Sequence, residues 1–218
     1  MKTTKWNGDS RYKVKSPLLN DDKHSGILSQ QNPNAFNVFT HFFNKESFDF
    51  VIEIGTSYGG LSLYIYEQSL QHDFHFISYD YLGFRDGMWK KRQNELRDVW
   101  GGNLKFDFRD KDVFLDDTIK EISTILLNNK CLLLCDGGDK PKEIQIYSEY
   151  LQPGSYIMGH DYSPDKIYFE KHTMGKVWNW LELSDEDLKE PMTQYNLSKC
   201  DKYYTEFRDT AWVCLIKE

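Results

Sequence analysis

Nowhere in the 218 residues does an apolar run approach the roughly 20 residues that cross a bilayer, so no membrane-spanning helix is expected. The opening stretch MKTTKWNGDSRYKVK also lacks the apolar centre of a signal peptide. Cysteine is scarce, at Cys131, Cys135, Cys200 and Cys214, and no Cys-x-x-Cys pair occurs. That spacing argues against a zinc knuckle and reads as buried, reduced thiols, so the expectation is a soluble, cytoplasmic protein. Basic charge is in deficit. The 27 Lys and Arg against 34 Asp and Glu give a net charge of -7, which argues against a broad nucleic-acid or anionic-membrane surface. Internal repeats, low-complexity segments and linkers are missing too, so nothing divides the chain beyond a polar arm over residues 1–31 and a single α/β domain over 32–218.

Against these absences, FDFVIEIGTSYGGLS at Phe48–Ser62 carries the most information. Phe48, Phe50, Val51, Ile52 and Ile54 form the short aromatic and β-branched run of a buried parallel strand. A glycine turn follows. Gly55 can take backbone angles closed to other residues, and Gly59 lets a ligand approach the main chain where a helix begins. The dinucleotide fingerprint Gly-x-Gly-x-x-Gly is not present; Glu53 leads a Glu-x-Gly-x-x-x-Gly pattern instead. A carboxylate repels phosphate but accepts hydrogen bonds from an ammonium or a hydroxyl. S-adenosylmethionine, a zwitterion with a ribose diol and no phosphate, meets that requirement.

The rest of the chain alternates. Asn32 can cap a helix whose first turn suits Pro33 and whose face is Phe36, Phe39, Phe42 and Phe43. Helices are expected at about 60–72, 89–100, 115–128 and 142–150, and strands at 48–54, 74–80, 103–108, 131–136 and 155–161. Alternation of this kind implies a Rossmann-like, doubly wound, mostly parallel sheet with ligands at the carboxyl ends of its strands. Glu53, Asp80, Asp110, Asp136 and Asp161 end successive strands and should collect on one edge. CDKYYTEFRDTAWVCLIKE reads as an antiparallel hairpin turning near Arg208-Asp209, which closes a seven-stranded sheet with an antiparallel C-terminal strand. Such a closing strand is unusual for the main rival, a nicotinamide-dependent oxidoreductase.

In VIEIGTSYGG at 51–60, YD at 79–80, LLLCDGGDK at 132–140, LQPGSYIMGHDY at 151–162 and KVWNWLEL at 176–183, the chain resembles the class I S-adenosylmethionine-dependent methyltransferases. The resemblance runs from about Gly26 to Lys217 and is greatest to the branch of cephalosporin hydroxylase-like and macrocin-type sugar O-methyltransferases. It implies that Glu53 and Gly55 help hold the methionine part of the cofactor, that Gly59 also belongs to the cofactor site, and that Asp80 accepts from the ribose hydroxyls. Asp110 would sit near the adenine, with Arg109 and Asp112 as competing choices.

In metal-dependent relatives, the positions of Asp136 and Asp161 bind a divalent ion, and His160 stands where another acidic ligand is common. The resemblance therefore implies magnesium on Asp136, Asp161 and His160. Imidazole is a poor magnesium ligand, so His160 is equally open as a general base. Catechol-type relatives use a lysine nearby to help deprotonate the acceptor, so Lys140 could lower the substrate's pKa or act as base itself, while an exposed loop lysine is its plainer reading. Asp136, His160 and Lys140 are the catalytic candidates. Trp178, Trp180 and Glu182 would wall the acceptor site, one tryptophan facing the core. The expected activity is methyl transfer to a hydroxyl of a small, sugar-like acceptor. A homo-oligomer is compatible with the sequence, and so is a binding protein that keeps the fold without turnover.

Overall fold

The computed structural model describes residues 23–24, 27–81 and 107–218. The helix expected at 89–100, residues 103–106 of the third strand, and most of the arm lie outside the described residues.

A two-stranded ribbon comes first, β1 (Lys23–His24) antiparallel to β2 (Ile27–Leu28). It corrects the expectation of a wholly irregular arm, and His24 Nε2 ties it to Glu67 at 2.6 Å. Then come α1 (Pro33–Phe43), β3 (Phe50–Ile54), α2 (Gly60–His72), β4 (His75–Asp80) and β5 (Asp107–Asp110). They are followed by α3 (Asp116–Asn128), β6 (Cys131–Cys135), α4 (Lys140–Tyr147) and β7 (Tyr156–Gly159). The chain ends with α5 (Asp185–Gln194), β8 (Leu197–Lys199), α6 (Tyr204–Arg208) and β9 (Val213–Lys217). Seven strands form one sheet in the order β5-β4-β3-β6-β7-β9-β8. The first five are mutually parallel, and β9 runs antiparallel between β7 and β8.

Alternating residues of the central strands serve two cores, as a sheet covered on both faces requires. Val51, Phe76, Leu132, Leu134 and Met158 pack under α1, α2 and α6 with Phe39, Phe42, Phe43 and Trp212. Ile52, Ile54, Leu133, Cys135 and Ile157 pack on the other face with Ile122, Leu126, Ile144 and Leu188. The helix predicted from Asn32-Pro33 forms as expected, with the Asn32 side chain accepting from the Asn34 amide at 2.9 Å.

The C-terminal reading needs a correction. The partner of β9 is the earlier segment Leu197–Lys199, and Tyr204–Arg208 is a helical turn rather than a strand. Tyr203 and Phe207 are four residues apart, a helical spacing that places both rings against Phe42 at 4.9 and 5.6 Å. That burial outweighs the β preference of the aromatic residues.

Candidate functional site

The turn after β3 is tight because the ends of β3 and β6 come together there. Gly55 has φ +98°, and a Cβ on it would lie 2.2 Å from the Asp136 carbonyl oxygen. The Asp136 amide donates to Ile54 O at 2.9 Å, and the Gly55 amide to Tyr79 O at 2.8 Å. Gly59, with φ 86°, precedes α2, and no side chain caps that helix. Its first amides therefore have no partner within the helix.

Glu53 lies one residue below the strand end, fully buried, on the sheet face covered by α2. Its Oε2 accepts from Ser62 Oγ and Ser78 Oγ, each at 2.5 Å, and Oε1 has no partner among the described residues. Burial dominates its chemistry and raises its pKa to about 8, although the two serines pull the other way. Asp80, at the end of β4, accepts from the Ser57 amide at 2.8 Å and so faces the turn. Asp110 pairs with Asp80 in register and is exposed. The two competing choices point elsewhere. Arg109 is bound to Asp107, Glu121 and the Tyr79 hydroxyl, and Asp112 caps the Phe114 amide.

The other half of the edge is built on β6, α4, β7 and the segment returning before α5. Glu182 N and Leu183 N both donate to Asp161 O, which lays the 178–183 segment beside the end of β7. Asp161 takes the left-handed φ of 56°, a region that few residues other than glycine, asparagine and aspartate enter, and is buried. Its Oδ1 accepts from Trp178 Nε1 at 2.5 Å and its Oδ2 from Lys140 Nζ at 2.8 Å. The same ammonium donates to Glu182 Oε2 at 2.8 Å and to Gly137 O at 3.0 Å, and lies 3.8 Å from Asp136 Oδ1. Lys140 is 3% exposed, so the loop-lysine reading is corrected. Its helix starts two residues earlier than the pattern indicated, which turns the side chain inward. Burial would depress its pKa, but Asp161, Glu182 and Asp136 prevail and hold it well above the ordinary value.

His160 packs on Trp178 and Trp212, with ring centroids at 4.9 and 4.8 Å. Its Nδ1 lies 2.9 Å from Asp136 Oδ1, and its Nε2 is buried with no partner among the described residues. Burial lowers its pKa, and the Asp136 and Asp161 carboxylates more than reverse this, leaving it raised. Burial disfavours the Asp161 anion, but Lys140 and His160 outweigh it and keep that carboxyl below its usual range. Of the two indoles, Trp178 is buried and Trp180 half-buried, the division expected from their spacing of two.

Several residues escaped the sequence reading. Gln31, 1% exposed, donates through Nε2 to Asp136 Oδ2 at 2.8 Å and accepts from Trp212 Nε1 at 2.8 Å. Gln30 accepts from Ser57 Oγ at 2.5 Å. Buried Glu143 accepts from the Gly137 and Asp139 amides at 3.3 and 3.2 Å and thereby fixes the DGGD turn. Only Ser78 carried a local signal, as a serine set among Phe76, Ile77 and Tyr79 in the buried part of β4.

Two groups implied by the resemblance can be tested against this geometry. The polar groups of the first half suit S-adenosylmethionine: an orphaned, buried carboxyl oxygen on Glu53, a second acid in Asp80, and a glycine turn with no side chain in the way. A magnesium ion fits the second half poorly. Ligand atoms of Asp136, His160 and Asp161 do lie within 4.8 Å of one another. Yet one of the three is an imidazole, and the Lys140 ammonium already sits against the carboxylates.

Sheet order, the antiparallel β9 and the glycine turn after β3 together define a Rossmann-like methyltransferase fold. Solved structures agree. CmcI with magnesium and S-adenosylmethionine superposes with a TM-score of 0.60 at 12% identity, over 90% of this chain and 76% of that one. Ligand-free CmcI gives 0.59 at 11% identity, over 89% and 75%. A Staphylococcus aureus protein assigned as a caffeoyl-CoA O-methyltransferase gives 0.51 at 11% identity, over 84% and 83%. No family model matches the sequence, and no curated protein matches it. Among the described residues, no helix is long and apolar enough to cross a membrane.

Proposed function

We propose that this chain is an S-adenosylmethionine-dependent O-methyltransferase acting on a hydroxyl of a small, polyhydroxylated acceptor. The observation that carries the cofactor assignment is the pairing of buried Glu53 beneath the Gly55 turn with Asp80 at the end of the adjacent strand. Glu53 and the first amides of α2 would hold the amino-acid part, and Asp80 the ribose diol, with Asp110 beside it. The cofactor supplies an electrophilic methyl group on a sulfonium centre.

The chain has to align an oxygen nucleophile and take its proton, and alignment provides much of the acceleration. His160 is the base in this reading. With Nδ1–H donated to Asp136, the imidazole is fixed in the tautomer whose Nε2 is a bare acceptor. An unpartnered buried acceptor costs about 1–3 kcal/mol, which an acceptor hydroxyl would recover on binding. Protonation of Nε2 is then favoured by the Asp136 and Asp161 carboxylates. Lys140 keeps Asp161 and Glu182 in place and stays charged throughout. Half-buried Trp180 offers an aromatic face and Glu182 a carboxylate to a sugar-like ring.

Turnover is tested by incubating the chain with S-adenosylmethionine and a panel of sugars and following release of S-adenosylhomocysteine. Product with wild type that His160→Gln forms at least about a hundredfold more slowly is the expected result. Equal rates would remove His160 from the chemistry.

A further inference from the structure

The carboxyl edge of this sheet gathers three carboxylates, from Asp136, Asp161 and Glu182, around a single interior point. The ammonium of Lys140 occupies that point. An ammonium has three hydrogens, and here they have three acceptors: Asp161 Oδ2 at 2.8 Å, Glu182 Oε2 at 2.8 Å and Gly137 O at 3.0 Å. Asp136 Oδ1 stands further out at 3.8 Å. The remaining carboxylate oxygens of the two strand-end acids are also engaged. Asp136 is bound through His160 and Gln31, and Asp161 Oδ1 through Trp178.

Placing a divalent ion on Asp161 would set it beside a buried positive charge, in a pocket where screening by water is weak. It would also require an imidazole to take the place of a hard oxygen ligand. Meanwhile, the task a divalent ion performs at such a point, neutralising and orienting clustered carboxylates, is already done. The side chain that does it is rooted at the start of α4 and is 3% exposed.

We propose that the Lys140 ammonium is the resident cation of this edge, standing where a divalent ion would otherwise sit, and that the chain binds no divalent ion at Asp161. The inference rests on the geometry of the cluster and holds whatever the acceptor is. It also gives Lys140 a positioning role: without it, Asp161 and Glu182 repel each other and the 178–183 segment loses its tie to α4.

The test uses Mn2+ as the probe, with the full chain stripped by chelator and free Mn2+ followed by electron paramagnetic resonance. Wild type is expected to show no Asp161-dependent binding at millimolar Mn2+. Lys140→Met, which keeps the side-chain length and removes the charge, is expected to gain one Mn2+ site at least about tenfold tighter, a change of ~1.4 kcal/mol. Asp161→Asn in the Lys140→Met background should abolish that site. Submillimolar Mn2+ binding by wild type that Asp161→Asn removes overturns the proposal, and so does a folded Lys140→Met chain that gains no site. If Lys140→Met fails to fold, the wild-type titration still decides the matter. Failure of S-adenosylmethionine to bind would remove the methyltransferase reading and leave this result untouched.

Discussion

Replacing Gly55 by alanine separates two demands that the structure makes at one position. The first is backbone conformation. At φ +98° an L-residue is strained by about 1–2 kcal/mol, since its Cβ crowds the neighbouring carbonyl. The second is space, because the added carbon would stand 2.2 Å from Asp136 O, 2.5 Å from Asp136 C and 2.8 Å from Gly137 N. All three are backbone atoms, so no rotamer change relieves the overlap; the strand ends must part, at an overpacking cost of about 1–3 kcal/mol. Gly55→Ala should therefore destabilise the fold by roughly 2–5 kcal/mol.

Two further glycines calibrate the result. Gly154 has φ +80° with nothing within 4 Å of its Cβ position, so Gly154→Ala carries the conformational cost alone. Gly138 has an open Cβ position and no left-handed φ, so Gly138→Ala should be near neutral. Urea denaturation with a common m-value gives all three differences. Equal destabilisation by Gly55→Ala and Gly154→Ala would refute the close approach of the two strand ends, and with it the placement of Asp136 against the turn.

Glu53 makes stability depend on pH in a defined direction. Its folded pKa, about 8, exceeds the ordinary 4.5, so its stabilising contribution is complete below pH 4.5 and is lost as pH rises towards 8. Glu53→Gln should therefore gain on wild type through that window, with a slope approaching ~1.4 kcal/mol per pH unit; parallel curves of unfolding free energy against pH would contradict this. Phe42 meets the rings of Tyr203, Tyr156 and Phe48 at 4.9, 5.2 and 5.6 Å, and Phe42→Ala should lower stability by about 3–5 kcal/mol, read as a fall in the urea midpoint. A loss below about 1 kcal/mol would mean that α1 is not packed on α6 and the sheet as described. In the chemistry, the rate should rise with pH through the His160 transition, which lies above the ordinary histidine value, and that limb should vanish in His160→Gln.

Four of the five parallel strands were legible because each is a short, nearly continuous apolar run with an acid at or just past its end, whereas β5, Asp107–Asp110, is polar and lies at the sheet edge; α1 was legible because Asn32-Pro33 announces its start. Those signals are local. The hairpin was misread because Tyr203 and Phe207 are β-prone residues claimed by a distant core. The exposed-loop reading of Lys140 failed for a related reason: a loop lysine is usually solvated, and the burial of this one depends on Glu182, 42 residues further on. Gln31 is harder still, since its two partners, Asp136 and Trp212, lie 105 and 181 residues away. Local sequence identified the acids of the site. The cation, the amide bridge and the indoles that hold those acids come from the tertiary fold.

The decisive property of the molecule is whether the glycine turn and its two acids bind S-adenosylmethionine. Isothermal titration of the full chain with S-adenosylmethionine, S-adenosylhomocysteine and NAD, in chelator, puts the question without needing an acceptor. One site per chain for the first two ligands is predicted, weakened at least about tenfold by Asp80→Ala, with no heat from NAD. A chain that is folded by circular dichroism and binds NAD, or binds neither S-adenosyl compound, would contradict it.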